Sequence, residues 1–146
     1  MLKLNQLLSN LKLSIQNKII KFSCAETKLN LKFLNLMKDL GIIDGFSKCP
    51  IYKNKLIITL NFFGYFHLNL DQTKNFILNN IILNQREFIL KILTKNKIYI
   101  NVKKLIKLQK KNKNVFFILS THKGFLTSKE SIRLKIGGIL ICKIYN

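Results

Sequence analysis

The sequence predicts a mixed α/β fold of the α+β kind, in two small lobes: an amino-terminal α-β-α-β-β unit and a strand-rich carboxy-terminal lobe with one short helix. Three observations carry that reading. Leu4, Leu7, Leu8, Leu11 and Ile15, and then Leu29, Phe33, Leu36 and Leu40, recur at the spacing of a helix face. Short apolar runs bounded by Gly, Pro and Asn follow each of them, as strands require. The last third joins a continuous apolar run, "NVFFILS", to a helix-capping pattern, a glycine pair and a closing apolar run.

The first leucine stripe predicts an opening helix flanked by Lys3, Lys12 and Lys18, and "KIIKFS" (Lys18 to Ser23) a short strand. Thr27 stands as N-cap of the second helix. Gly41 falls where a helix end wants a residue in the left-handed region. "IIDGF" and "KLIITLNFF" predict two strands, with Pro50 and Asn54 in the turn between them. Residues 64–85 are Asn-rich and mixed in polarity, an insertion or extended connection between lobes spanning 1–63 and 86–146. "EFILKIL" predicts a strand, "TKNK" a turn and "IYINV" a second strand, with Asn96 best able to adopt a positive φ. "KKLIKLQKKNKN" reads as basic and either helical or irregular. Thr127-Ser128-Lys129-Glu130 matches a capping box. The helix it opens is expected to end at Gly137-Gly138, before the final strand "ILICKIY". "STHKG" (Ser120 to Gly124) is then the connection between a core strand and that capped helix.

Charge narrows the function. The chain of 146 residues carries 26 Lys and Arg against 6 Asp and Glu, a net charge of +20, and 48% apolar residues, enough for a core. Such an excess repels itself unless a polyanion neutralises it, which points to nucleic acid first and an anionic membrane surface second. No apolar run reaches the roughly 18–20 residues of a spanning helix. The amino terminus has no signal-peptide layout. Cys24, Cys49 and Cys142 are odd in number and far apart, ordinary thiols of a reducing compartment. His67 and His122 stand at no zinc spacing, so no metal is expected, and no cofactor either. The crowding of Lys, Asn and Ile, with one Pro and no Trp, looks like an AT-rich coding genome.

Catalytic signatures are missing. The acids are scattered, there is no Gly-rich phosphate loop, and "ILSTHKG" is not a nucleophile elbow. RNA contact suits the same residues better. The duplex minor groove is wide and shallow, so short hydroxyl side chains and bare backbone fit it, and Lys123 can neutralise a phosphate. On composition alone an equal reading stands beside it, in which Ser120 and Thr121 satisfy the turn and Gly124 supplies a backbone angle.

Taken in order, these motifs resemble the ribosomal protein S8 family, which binds the central domain of small-subunit ribosomal RNA. Its signature loop is similar to Ile118-Leu119-Ser120-Thr121-His122-Lys123-Gly124-Phe125-Leu126, and its helix start to Thr127-Ser128-Lys129-Glu130. Gly137-Gly138, Ile141-Cys142, Lys97-Ile98-Tyr99, Thr27-Lys28-Leu29 and Gly41-Ile42-Ile43 resemble further family motifs. The resemblance is strong from Glu87 onward and fainter before Phe63. It departs at His122, where the family has Ser, and at Ile139, where it has Glu. It departs again around Lys95-Asn96, which replace a Pro-Gly turn, and in the length of 64–85. Lost RNA contacts with added protein suggest an organellar ribosome.

The resemblance implies a structural, non-enzymatic protein of the small subunit that binds an rRNA helix, supports assembly and translation, and touches neighbouring ribosomal proteins. It implies that Ser120, Thr121 and Gly124 approach RNA, that Lys123, Lys28 and Lys97 meet phosphates, and that Tyr99 stacks on or hydrogen-bonds to RNA. His122, Thr127, Gly137 and Gly138 complete the expected RNA-binding set. Composition and the amino terminus favour a mitochondrial ribosome, with the plastid ribosome as alternative. No membrane or small-molecule substrate is expected. The competing functions are a basic protein on a membrane surface and a regulator binding messenger RNA.

Overall fold

The computed structural model describes residues 2–61, 89–92 and 98–145. Among them are four helices and eight strands, and every strand pairing is antiparallel. The mixed α+β class and the strand-rich carboxy-terminal part stand as the sequence predicts.

Helix α1 (Leu2–Gln16) buries Leu4, Leu7, Leu8, Leu11 and Ile15, the stripe read from the sequence. Each such burial contributes roughly 1.5–3 kcal/mol. Strand β1 (Lys21–Ala25) starts three residues later than expected, because α1 closes with Lys18 in the left-handed region (φ 53°) and Ile19 N–H bonding back to Ser14 O at 2.9 Å. Helix α2 (Lys28–Asp39) begins on Thr27, whose hydroxyl accepts from Asn30 N–H at 3.1 Å. It ends at Gly41 (φ 70°), with Ile42 N–H reaching Met37 O at 3.0 Å. Strands β2 (Ile43–Lys48) and β3 (Lys55–Leu60) complete a three-stranded sheet in the order β1-β3-β2.

The carboxy-terminal sheet is built from β4 (Ile89–Ile92), β5 (Tyr99–Ile100), β6 (Val115–Thr121), β7 (Gly124–Thr127) and β8 (Gly138–Tyr145). Its order is β4-β8-β6-β7, with β5 also on β8. "NVFFIL" is continuously apolar because β6 is covered on both faces. Ile118 joins Cys142 and Ile144 in the large cluster that also holds the α1 and α2 side chains. Phe117 and Leu119 join Leu105 and Leu140 in a second cluster on the other face. Phe125 of β7 meets Phe33 of α2 edge to face, with centroids 5.4 Å apart, so one apolar core runs beneath both sheets.

Three expectations are corrected. "STHKG" does not run straight into a helix: "GFLT" is a fourth core-sheet strand, β7, so the loop is the tip of the β6–β7 hairpin. The basic stretch after β5 is a regular helix, α3 (Val102–Lys111), capped by Asn101 and anchored by buried Leu105, so this part holds two helices rather than one. Helix α4 (Ser128–Arg133) does open on the capping box, but it ends before the glycine pair. Lys135 takes the left-handed conformation (φ 56°), and Ile136 N–H bonds to Ser131 O at 3.0 Å. The connection 64–85, the turn at Lys95-Asn96 and Lys97 lie outside the described residues.

Candidate nucleic-acid interface

The register of the carboxy-terminal sheet gathers most of the expected residues at one end. Tyr99 pairs with Ile139, Ile139 with Ser120, and Ser120 with Phe125, a row across four strands. Residues paired across strands share a face. The next row joins Ile100 to Gly138 and Thr121 to Gly124. In the first row Phe125 closes the core against Phe33, while Tyr99 is 65% exposed. Ser120 therefore sits where the buried face opens to solvent.

The hairpin tip is fixed by its own chemistry. His122 and Lys123 form the turn, and neither has a positive φ. The chain can then rejoin the ladder only through a residue with positive φ, and Gly124 supplies it at 107°. A Cβ on Gly124 would meet nothing within 4 Å, so the backbone angle, not crowding inside the protein, demands glycine. Thr121 locks the same turn. Its hydroxyl donates to Gly124 O at 2.9 Å and accepts from Lys123 N–H at 3.1 Å. That uses its one donor and leaves one acceptor lone pair.

Ser120 differs. Its hydroxyl has no hydrogen-bond partner among the described residues, and it is half-buried rather than sealed in. The two hydroxyls that looked equivalent in sequence thus divide: Thr121 holds the tip together and Ser120 is free to meet a ligand.

The glycine pair explains how closely the strands approach. A Cβ on Gly138 would lie 2.6 Å from Ser120 O and 2.8 Å from Thr121 Cγ2. One on Gly137 would lie 2.8 Å from both Ile100 O and the Tyr99 hydroxyl. Gly137 and Gly138 therefore set Tyr99 and the end of β6 against the start of β8. They shape the site through packing. Thr127 is likewise committed inside the protein. Its N–H and hydroxyl both donate to Glu130 Oε2 at 2.8 Å, and its hydroxyl accepts from Glu130 N–H at 3.3 Å.

Lys28 stands exposed in the first turn of α2, the helix that packs Phe33 on the hairpin. A cation there opposes the helix dipole, so it does nothing for the helix itself. Around the site the field is positive. No acid occurs between Glu87 and Glu130, where lysine recurs throughout, and the Glu130 carboxylate is engaged in the cap. Helix α3 presents Lys103, Lys104, Lys107, Lys110 and Lys111 to solvent.

Two residues escaped the sequence reading. Asn30, fully buried, donates from Nδ2 to Ala25 O at 2.8 Å and ties the start of α2, with Lys28, to β1. Gln109 donates to the Asn112 and Val115 carbonyls and accepts from Ser128 Oγ, joining α3 to β6 and α4. A polar residue amid a buried face is the only trace either leaves in sequence.

A rigid tip bearing a free hydroxyl, a neighbouring exposed aromatic and uncompensated lysines can press against a polyanion with a shallow surface. The family model for ribosomal protein S8 matches residues 3–145, nearly the whole described chain. No curated protein matches the sequence. With that match and the hairpin geometry together, the chain belongs to the ribosomal protein S8 family, structural constituents of the small ribosomal subunit that bind rRNA and neighbouring small-subunit proteins.

Proposed function

We propose that this chain binds a helix in the central domain of small-subunit rRNA through its β6–β7 hairpin tip, and holds that domain folded while the mitochondrial small subunit assembles. The observation that carries the reading is the Ser120 hydroxyl, free among the described residues, beside the Gly124 turn, in a stretch of chain from 88 to 129 that holds no acid. Ser120 gives or takes a hydrogen bond at the minor-groove surface, where 2′-hydroxyls and base edges are displayed. Bare backbone at Gly124 lets the tip come close, and Lys123 neutralises a phosphate. Tyr99, held by Gly137, offers an exposed ring and hydroxyl on the same row. His122 replaces a smaller family residue at the turn and extends further from the tip. Lys28 and Lys97 add phosphate contacts.

The mitochondrial assignment is supported by the Lys-, Asn- and Ile-rich composition. The test is twofold. The purified chain should bind an isolated central-domain fragment in preference to a size-matched fragment from another rRNA domain. The endogenous chain should also co-sediment with small subunits from mitochondria. Equal affinity for both fragments refutes the central-domain assignment, and recovery only in plastid particles refutes the mitochondrial one.

A further inference from the structure

In the amino-terminal lobe, α1, β1 and the β2–β3 turn enclose a cleft of about 350 Å³. Lys3, Lys53 and Lys55 line it, with Asn10, Ser23 and Asn54 among its polar walls, and none of its lining residues is acidic. Glu26, just past β1, is paired with Lys48 at 3.2 Å. The walls are braced: Asn10 Nδ2 donates to Ser23 O at 3.4 Å, and Glu26 N–H donates to Asn54 O at 2.7 Å. Asn54 turns the chain with φ 65°, and Cys49 N–H bonds to Lys55 O at 2.9 Å. Three lysines thus line one concavity that has no acidic residue in its walls.

At its rim the same turn exposes Ile51 (79%) and Tyr52 (58%). Lys55 Nζ stands over the Tyr52 ring, 4.5 Å from the centroid. Large side chains left in water at a hairpin tip add nothing to the core. An aromatic ring beside a cationic groove is what an unpaired nucleotide binds, its base on the ring and its phosphate on the lysines.

The geometry points to a second RNA site, in which this cleft takes a backbone phosphate and Tyr52 stacks the adjoining unpaired base. This rests on the rRNA-binding reading above, and adds a contact independent of the β6–β7 hairpin. A protein occupant would have to bring acidic groups to the same lysines. The cleft lies at the small end of ligand pockets, which suits a phosphodiester rather than a folded element.

Full-length chain carrying Tyr52→p-benzoylphenylalanine is incorporated into small subunits and irradiated. The expected result is a crosslink to small-subunit rRNA, mapped to a nucleotide outside the helix that the hairpin contacts. Crosslinks only to protein, or none in particles that contain the chain, overturn the proposal. A chain that never enters small subunits overturns both this proposal and the reading on which it rests. Affinity separates the two sites. Ser120→Ala should weaken binding to a short rRNA helix and to a longer fragment alike. Tyr52→Ala should weaken only the longer fragment, by roughly 5- to 150-fold, the loss of one base stack. Lys53→Gln with Lys55→Gln should make the salt slope for that fragment shallower by about 1.4–1.8. Unchanged affinity and slope in these variants, with melting intact, overturn the second site and leave the first standing.

Discussion

Replacing Ser120 and Thr121 separately should give opposite phenotypes. Thr121→Val removes the bond donated to Gly124 O (2.9 Å) and the one accepted from Lys123 N–H (3.1 Å). At about 0.5–1.5 kcal/mol net each, the two contribute about 1–3 kcal/mol to the hairpin. For a chain of this length that lowers the melting temperature by about 3–10 °C. Ser120→Ala removes no hydrogen bond to the described residues, so stability should move by no more than about 0.5 kcal/mol. If Ser120 meets RNA, its loss should instead weaken specific rRNA binding by about 2- to 13-fold, the equivalent of one hydrogen bond. Melting and affinity for a central-domain fragment are measured on the same preparations, with affinity expressed per folded molecule. A Ser120→Ala protein that melts early and binds normally would refute the reasoning, as would a Thr121→Val protein as stable as the parent.

Gly138→Ala places a Cβ 2.6 Å from Ser120 O, so β8 must move off β6; a loss of about 1–3 kcal/mol and weakened rRNA binding are expected, checked by denaturation and affinity. Lys123→Ala should lower affinity for all RNAs alike and make the salt slope shallower by about 0.7–0.9, which a salt titration on specific and unrelated RNA reads directly. Burial pushes the Cys24 thiol from 9.0 up to about 11, and burial raises that of Cys142 as well. Below pH 9.0 both states keep Cys24 protonated; from there to about 11 the unfolded chain ionises first, so stability falls through that window. Cys24→Ala should flatten part of that fall in denaturation curves taken across alkaline pH, and parallel curves would contradict the assignment.

What was legible in the sequence was local. The stripe of α1, Leu4, Leu7, Leu8, Leu11 and Ile15, could be read because burial on one side imposes the 3.6-residue period, and each of these residues is buried while Leu2 and Leu13 face water. Thr127-Ser128-Lys129-Glu130 could be read because both bonds of a capping box lie within four residues. Strand β7 could not: "GFLT" is four residues long, starts on glycine, and becomes a strand only by pairing with β6. The end of α4 was misplaced for a related reason. Lysine at Lys135 gives no sign of the left-handed angle it adopts, whereas Gly137-Gly138 look like a stop. Their close approach to Tyr99 and Ser120 depends on strands distant in sequence. The candidate site was legible as a set of residues but not as a division of labour, because which hydroxyl is free is decided by the turn, not by residue type.

Directed hydroxyl-radical probing from the β6–β7 tip tests whether that tip lies against small-subunit rRNA. An iron chelate is attached to His122→Cys in a Cys49→Ser background, where buried Cys24 and Cys142 stay unlabelled. Particles assembled with this chain should show strand scission clustered on one helix of the rRNA central domain. Particles that contain the tagged chain but show no scission above background would contradict the claim.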